Sequence, residues 1–237
     1  MGNPVVTAIF LVLRLGIGLI LLRLALKDSR HRSLHWLAAV FYLNFVNLFL
    51  RGPAHPVISL SLTVVIQICL ALFTHTTFYK NRRSPVVWVI AGLLAAGGTS
   101  FYLAPQRPVY GPWDPMRLMS AVNWLWHGLV AWQVWRKLRS DRSIEDWIKA
   151  RYVMVVTYAV AMTALFLLPG WRTAWPLVGM AWTATFIVAL LLQYLAWGMP
   201  AVLRRYLNRN YQPSAAAQQA MSMTEEDVLR ALEKRAH

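Results

Sequence analysis

The sequence predicts an all-α polytopic membrane protein, a seven-transmembrane helix bundle with its N-terminus outside, its C-terminus inside and a short cytoplasmic C-terminal helix. Composition is the first observation behind this fold class. Of the 237 residues, 58% are apolar and only 14% are charged, whereas a soluble protein carries about 25% charged residues. The second observation is the pattern, because the apolar residues form seven blocks, each near the roughly 20 residues that a helix needs to cross a bilayer.

The blocks are separated by Pro, Gly and charged residues. Each is expected to be helical, because a helix satisfies all of its backbone hydrogen bonds within the segment. The first block has no basic segment before it, so we expect a span there and not a cleavable signal peptide. A capping box at Ser143-Ile-Glu-Asp146 predicts a juxtamembrane helix that continues into the sixth span. The predicted spans are 4–27, 33–51, 56–78, 85–104, 115–138, 150–169 and 173–199.

The distribution of Lys and Arg predicts the orientation. With the N-terminus outside, the cytoplasmic segments hold 18 of the 24 basic residues, and the external loops hold four, namely Arg51, Arg107, Arg117 and Arg172. An excess of basic residues on the cytoplasmic side is the rule in membrane proteins. The same residues account for the net charge of +15 without nucleic acid as a partner, because basic residues at span ends contact anionic lipid headgroups. Membrane lipids are therefore expected partners.

Aromatic residues and the single cysteine narrow the chemistry. Trp and Tyr cluster near span ends, as at Trp88, Tyr102 and Trp197, which is typical of the aromatic belt at a membrane interface. Trp124 lies deeper. Cys69 is the only cysteine, so an intramolecular disulfide and a cysteine-based metal site are both excluded.

The C-terminal region divides the chain into three predicted parts. Residues 1–207 form the transmembrane domain, 208–222 a flexible linker of small and polar residues, and 223–237 a short amphipathic helix with its core at Thr224–Arg235. Three helical turns are marginally stable in water, so this helix is expected to dock on the cytoplasmic loops, on a second copy of the chain or on a partner protein. Its apolar face consists of Val228, Leu229 and Leu232.

The positions of the ionisable residues exclude several functions. All nine Asp and Glu residues lie in loops or in the tail, whereas a membrane proton relay, a carboxylate sodium site or an aspartyl protease needs acids within the spans. No Lys lies mid-span to carry a retinal. A haem site usually needs two histidines at one depth; His127 has no such partner, and His35 and His75 lie near the wet cytoplasmic face. We therefore expect no enzymatic activity, no metal and no cofactor.

Six polar residues within the spans are the candidate ligand-binding site. Polar side chains at membrane depth point into the bundle, and most of these lie near one depth on the first, second, third and fifth spans. Arg14 is the most informative, since its charge needs an acceptor and no carboxylate lies at that depth. The alternative is that the amides only join neighbouring helices by hydrogen bonds. The six residues are Arg14, Asn44, Asn47, Gln67, Asn123 and His127.

Two functions from different classes remain open. In the first, the protein is a receptor-like or sensor-like module that binds a small ligand or lipid in a polar chamber. In the second, it is an accessory subunit of a larger membrane complex, packed through faces rich in Gly and Trp. A transporter is less favoured, because seven spans do not divide into two equal inverted repeats.

Two juxtamembrane segments resemble the seven-transmembrane input modules of bacterial sensor kinases. They are Trp147–Tyr152 (WIKARY), at the start of the sixth span, and Tyr194–Pro200 (YLAWGMP) with Leu203–Asn208 (LRRYLN), at the end of the seventh. The resemblance implies a bacterial inner membrane, an external or intramembrane ligand and a cytoplasmic output. No kinase or cyclase sequence follows in these 237 residues, so we expect the signal to pass to a separate partner.

Overall fold

The computed structural model is helical throughout the part of the chain that it describes, which comprises residues 4–27, 33–50, 56–79, 83–103, 114–141, 144–167 and 176–208. No strand occurs in these ranges. The helices are α1 (Pro4–Lys27), α2 (Leu34–Leu50), α3 (Pro56–Phe78), α4 (Val86–Leu103), α5 (Pro115–Leu138), α6 (Asp146–Leu167), α7 (Pro176–Gly198) and α8 (Ala201–Leu207).

Four of the described helices have the length and apolar composition to cross a membrane. They lie at Val57–Phe78, Val86–Leu103, Asp146–Leu167 and Met180–Gly198. Helices of this kind need an apolar surrounding for their outward side chains. The protein is therefore all-helical in its described parts and membrane-like in character.

The ends of the helices follow the predicted boundaries closely, and the juxtamembrane helix predicted before the sixth span is continuous with it in α6 (Asp146–Leu167). The difference is a separate helix after the seventh span. Helix α6 begins at Asp146, because the backbone carbonyl of Glu145 accepts the first turn's bonds from Ile148 and Lys149; Ser143 lies outside the described residues. Helix α8 was not predicted as a separate element. It begins after Pro200, whose backbone is extended and whose ring cannot continue a helix. The predicted tail helix at 224–235 also lies outside the described residues.

The helices pack mainly on their neighbours along the chain. Additional contacts join α1 to α7 and α3 to α5, so that α3 lies inside the bundle while α4 packs on α3 and α5 from outside. Half of the apolar window of α3 is buried, against 22% for α4. Two small residues permit the closest approaches: a Cβ on Gly97 of α4 would lie 2.6 Å from Val64 of α3, and one on Gly128 of α5 would lie 3.0 Å from Ala159 of α6.

The start of α5 is fixed by a buried carboxylate. Asp114 is the N-cap and its side chain accepts a hydrogen bond from the backbone N–H of Met116 (2.9 Å), which satisfies a donor that a helix N-terminus leaves free. The hydroxyl of Ser100, in the last turn of α4, donates to the same carboxylate. Asp114 thereby ties the end of α4 to the beginning of α5.

Candidate functional site

The six predicted site residues divide among four separate groups of contacts. Asn44 is half-buried and the other five are buried. Three of the groups follow one another along α3, with partners on α2, α5 and α6, while the Arg14 group lies at the junction of α1, α2 and α7. The structure brings Arg14 to Asn44, and Gln67 to Asn123, while Asn47 and His127 take partners that were not among the predicted six.

Arg14 lies at the junction of α1, α2 and α7. Its Nη1 donates to the backbone carbonyl of Asn44 (3.2 Å), and its Cζ lies 5.2 Å from the ring centroid of Phe186. An aromatic face attracts a guanidinium electrostatically, more strongly where water is excluded. Arg14 is only 7% exposed, so its charge is held inside the bundle and away from the lipid-facing side.

Asn47 joins α2 to the first turns of α3. Its Oδ1 accepts from the hydroxyl of Ser59 (2.8 Å) and its Nδ2 donates to the Oγ1 of Thr63 (3.3 Å). Thr63 in turn donates to the backbone carbonyl of Ser59 (2.8 Å). Both ends of the Asn47 amide are therefore satisfied by one face of α3.

Gln67 and Asn123 join α3 to α5 at the next turn. The Nδ2 of Asn123 donates to the backbone carbonyl of Gln67 (2.9 Å) and to its side-chain Oε1 (3.0 Å). The Oδ1 of Asn123 is buried and has no hydrogen-bond partner among the described residues. An unused acceptor inside a bundle is costly, so this atom marks a place where a donor would be stabilising.

His127 is fully buried and belongs to a network of four side chains, which we call the His127 network: Thr74 of α3, His127 of α5, Tyr158 of α6 and Trp197 of α7. The Nδ1 of His127 lies 2.8 Å from the Oγ1 of Thr74, and its Nε2 lies 2.8 Å from the hydroxyl of Tyr158. The Nε1 of Trp197 donates to the same Tyr158 oxygen (3.1 Å). Four helices thus meet in one hydrogen-bonded network.

The proton positions in the His127 network follow from its donors. Thr74 Oγ1 also lies 2.9 Å from the backbone carbonyl of Leu70, and only the Thr74 hydroxyl can supply that proton. The proton between Thr74 and His127 must then come from Nδ1, which leaves Nε2 of a neutral imidazole as an acceptor. Because Trp197 only donates, Tyr158 accepts from it and gives its own proton to His127. The hydrogen bonds therefore run in one direction, from Trp197 to Leu70.

Aromatic rings enclose the imidazole. The ring of Tyr158 is stacked on it at 5.7 Å between centroids, and Trp124 approaches by its edge at 6.1 Å. Phe73 and Phe78 lie at 5.7 Å and 5.6 Å. Such a shell excludes water. Solvent therefore does not compete for the hydrogen bonds of His127, and these bonds hold one arrangement of the four helices.

Three members of the His127 network were not predicted, although the sequence carries signals for them. Thr74 lies seven residues after Gln67, which puts it on the same face of α3 as the predicted polar residues. Tyr158 lies in the middle of its span, far from the interface that usually holds Tyr. Trp197 was assigned to the aromatic belt, and instead its indole is half-buried and bonded to Tyr158.

A second cluster, the Trp147 cluster, lies where α6 begins and α8 ends. Its members are Glu145, Trp147, Arg151, Arg204 and Asn208. The Oε2 of Glu145 accepts from the Nε1 of Trp147 and from the Nδ2 of Asn208 (2.8 Å), and the backbone N–H of Trp147 donates to the Oδ1 of Asn208 (3.2 Å). The guanidinium Cζ atoms of Arg151 and Arg204 lie 4.5 Å and 5.5 Å from the indole of Trp147.

Arg151 connects the two clusters. Its Cζ lies 5.5 Å from the indole of Trp197, a member of the His127 network, and 4.5 Å from the indole of Trp147. A continuous series of side-chain contacts therefore runs from the buried His127 to α8. Its order is His127, Tyr158, Trp197, Arg151, Trp147 and Arg204.

The chemistry that these clusters offer is hydrogen bonding and charge recognition. Within the described ranges, no three His, Cys, Asp or Glu residues lie close enough together to hold a metal ion. No known protein family, curated protein or solved structure matches the chain.

Proposed function

We propose that this protein is a non-enzymatic receptor-like or sensor-like module with seven transmembrane helices, which binds a small ligand or lipid among its buried polar residues and signals to a separate cytoplasmic partner. The observation that carries the proposal is the continuous contact series from His127 to Arg204 of α8. A structural subunit needs helix packing, but it does not need its buried polar centre to be joined to α8.

The contact series suits signal transmission because its contacts are discrete. Coupling between distant sites needs an element with two arrangements that both sites bias. Each hydrogen bond of Tyr158 is either made or broken. While the bond to Trp197 is made, Trp197 keeps its position against Arg151, and when that bond is broken, Trp197 leaves it. A displacement of α6 or α7 in the membrane is in this way passed to the start of the C-terminal tail.

The ligand side of the proposal rests on Arg14 and Asn123. A buried guanidinium near the middle of a membrane bundle favours a ligand that carries an anionic group or a carbonyl. The Oδ1 of Asn123, which accepts no hydrogen bond from the described part of the chain, favours a ligand that also offers a hydrogen-bond donor. The ligand class is thus a small molecule or lipid with both kinds of polar group on an otherwise apolar body.

Ligand retention tests this proposal directly. The full chain is purified from its native membranes, and bound small molecules are extracted and identified by mass spectrometry. Arg14→Gln is expected to lose at least tenfold of a stoichiometric compound that the wild type retains. Arg23→Gln is the matched control, since Arg23 lies on the same helix and is exposed. No stoichiometric compound in the wild type, or equal loss in both variants, would contradict the ligand proposal.

The proposed topology places all seven long helices across the membrane with the N-terminus outside, in a bacterial inner membrane. Impermeant thiol labelling of whole cells checks it on a Cys69→Ser background. A cysteine at position 102, at the exposed end of α4, is expected to react from outside, and a cysteine at position 139, after α5, only after permeabilisation. Labelling in the reverse order would show that the orientation is wrong.

The cytoplasmic partner is proposed to bind through the Thr224–Arg235 segment. Truncation after Tyr211 is expected to leave insertion and thermal unfolding of the bundle unchanged while a stoichiometric partner no longer co-purifies.

The assembly-subunit alternative is favoured by the exposed apolar side of α4, where Trp88 is 80% exposed. It predicts that partners remain after truncation and are lost when Trp88 and Tyr102 are replaced.

A further inference from the structure

An open groove of about 530 Å³ lies between the start of α6 and α8. It is separate from the polar residues of the proposed ligand site and does not depend on their function. Its walls combine two basic residues, an indole and an amide with a single carboxylate. The lining residues are Glu145, Trp147, Ala201, Arg204, Arg205 and Asn208.

The neutral and acidic polar groups of the groove are already bonded to one another. Glu145 accepts from Trp147 and Asn208, and Asn208 accepts from the backbone of Trp147. These bonds hold the carboxylate of Glu145 against the wall of the groove, where its negative charge faces the N–H donors of Trp147 and Asn208. What the groove offers to an incoming molecule is therefore its basic side.

The arginines around the groove have no carboxylate at ion-pair distance among the described residues, where the one ion pair recorded joins Lys149 to Asp146. Arg204 and Arg151 lie against Trp147 instead, and the Nε of Arg151 is buried without a hydrogen-bond partner in the described part of the chain. A cation–π contact with an indole holds a guanidinium in place but leaves the N–H donors at the edge of the guanidinium available. Such donors suit a phosphate group.

The geometry points to a binding site for the phosphate of an anionic phospholipid in this groove. Helix α8 favours a lipid over a free phosphate, because Val202 and Tyr206 lie one turn apart on it and are 78% and 70% exposed. These side chains place apolar surface on the same short helix as Arg204 and Arg205. A headgroup in the groove would thus have room for its acyl chains beside α8, as in an interfacial amphipathic helix.

Calorimetric titration of the full chain in a neutral detergent tests the site with three probes: dihexanoyl phosphatidylglycerol, dihexanoyl phosphatidylcholine and inorganic phosphate. The first is expected to bind saturably and at least tenfold more tightly than the other two. Arg204→Gln with Arg205→Gln should weaken its binding at least tenfold. The matched control is Arg136→Gln with Arg139→Gln, which removes two exposed arginines, one also stacked on a Trp, and should change the affinity less than twofold.

The remaining outcomes each overturn the assignment. Equal affinity for the two lipids would mean that the groove does not select an anionic headgroup. Inorganic phosphate binding as tightly as phosphatidylglycerol would assign the groove to free phosphate, and equal losses in the two double variants would reduce the effect to general surface charge. Circular dichroism checks that the Arg204 and Arg205 double variant is folded. If it is not, the single Arg205→Gln decides, and an unchanged affinity in that variant contradicts the site.

Discussion

Replacing Tyr158 with Phe deletes one oxygen from the centre of the His127 network and leaves the ring in place. The hydroxyl of Tyr158 lies 2.8 Å from the Nε2 of His127 and 3.1 Å from the Nε1 of Trp197. Its loss removes two hydrogen bonds that join α6 to α5 and to α7. It also leaves a fully buried acceptor on His127 and a half-buried donor on Trp197 without these partners.

The expected cost follows from these two bonds. Hydrogen bonds between helices in a membrane contribute about 0.6 kcal/mol on average and up to about 1.7 kcal/mol. Two of them, one of which leaves a buried acceptor behind on His127, give a loss of roughly 1–3 kcal/mol. Because Phe keeps the stacked ring, little of this loss comes from packing.

Reversible unfolding in mixed micelles, followed by far-ultraviolet circular dichroism, measures this loss as a change in the free energy of unfolding. Tyr102→Phe is the matched control: Tyr102 is 73% exposed, so its hydroxyl should contribute less than about 0.5 kcal/mol. Equal stabilities of Tyr158→Phe and the wild type would refute the assignment of these hydrogen bonds. A double-mutant cycle with Trp197→Phe should show a coupling of about 0.6 kcal/mol or more.

Two further substitutions probe the packing that positions the site. Gly97→Ala should destabilise the bundle by about 1–3 kcal/mol, since the added Cβ would lie 2.6 Å from Val64. Gly98→Ala, whose Cβ would meet no atom within 4 Å, should instead stabilise the bundle by about 0.5–1 kcal/mol in the same assay, because Ala favours a helix over Gly; equal losses in the two variants would contradict the close approach of α3 and α4. Asp114→Ala should cost about 1 kcal/mol by removing the N-cap of α5, and Asp114→Asn should keep most of that stability, because Asn also caps well. Equal losses of stability in the two Asp114 variants would show that the negative charge of Asp114 matters and not its role as the N-cap.

Much of the fold could be predicted from the sequence because an apolar segment has few alternatives. A block such as 56–78 satisfies its backbone only as a helix, and α3 has these bounds. The breaks were harder to place. The separate α8 depends on Pro200, whose extended backbone divides the last apolar segment into two helices.

The candidate site could be predicted in composition but not in its pairing. Depth along a helix follows from the sequence, so Gln67 and Asn123 could be expected at one level, and they are hydrogen-bonded. The pairing of His127 with Tyr158 could not be predicted, because the rotation of α6 about its axis is set by packing against α5 and α7. Tyr158 and Trp197 therefore became visible only when those helices were placed beside each other.

The proposed signalling role requires the buried His127 network to be coupled to the end of the bundle that carries α8. Double electron–electron resonance measures this coupling in liposomes, with spin labels at positions 139 and 202 on a Cys69→Ser background; both native residues are exposed. Tyr158→Phe is expected to shift or broaden the distance distribution between the labels, and Tyr102→Phe is expected to leave it unchanged. A distribution in Tyr158→Phe that is identical to that of the wild type would contradict the claim.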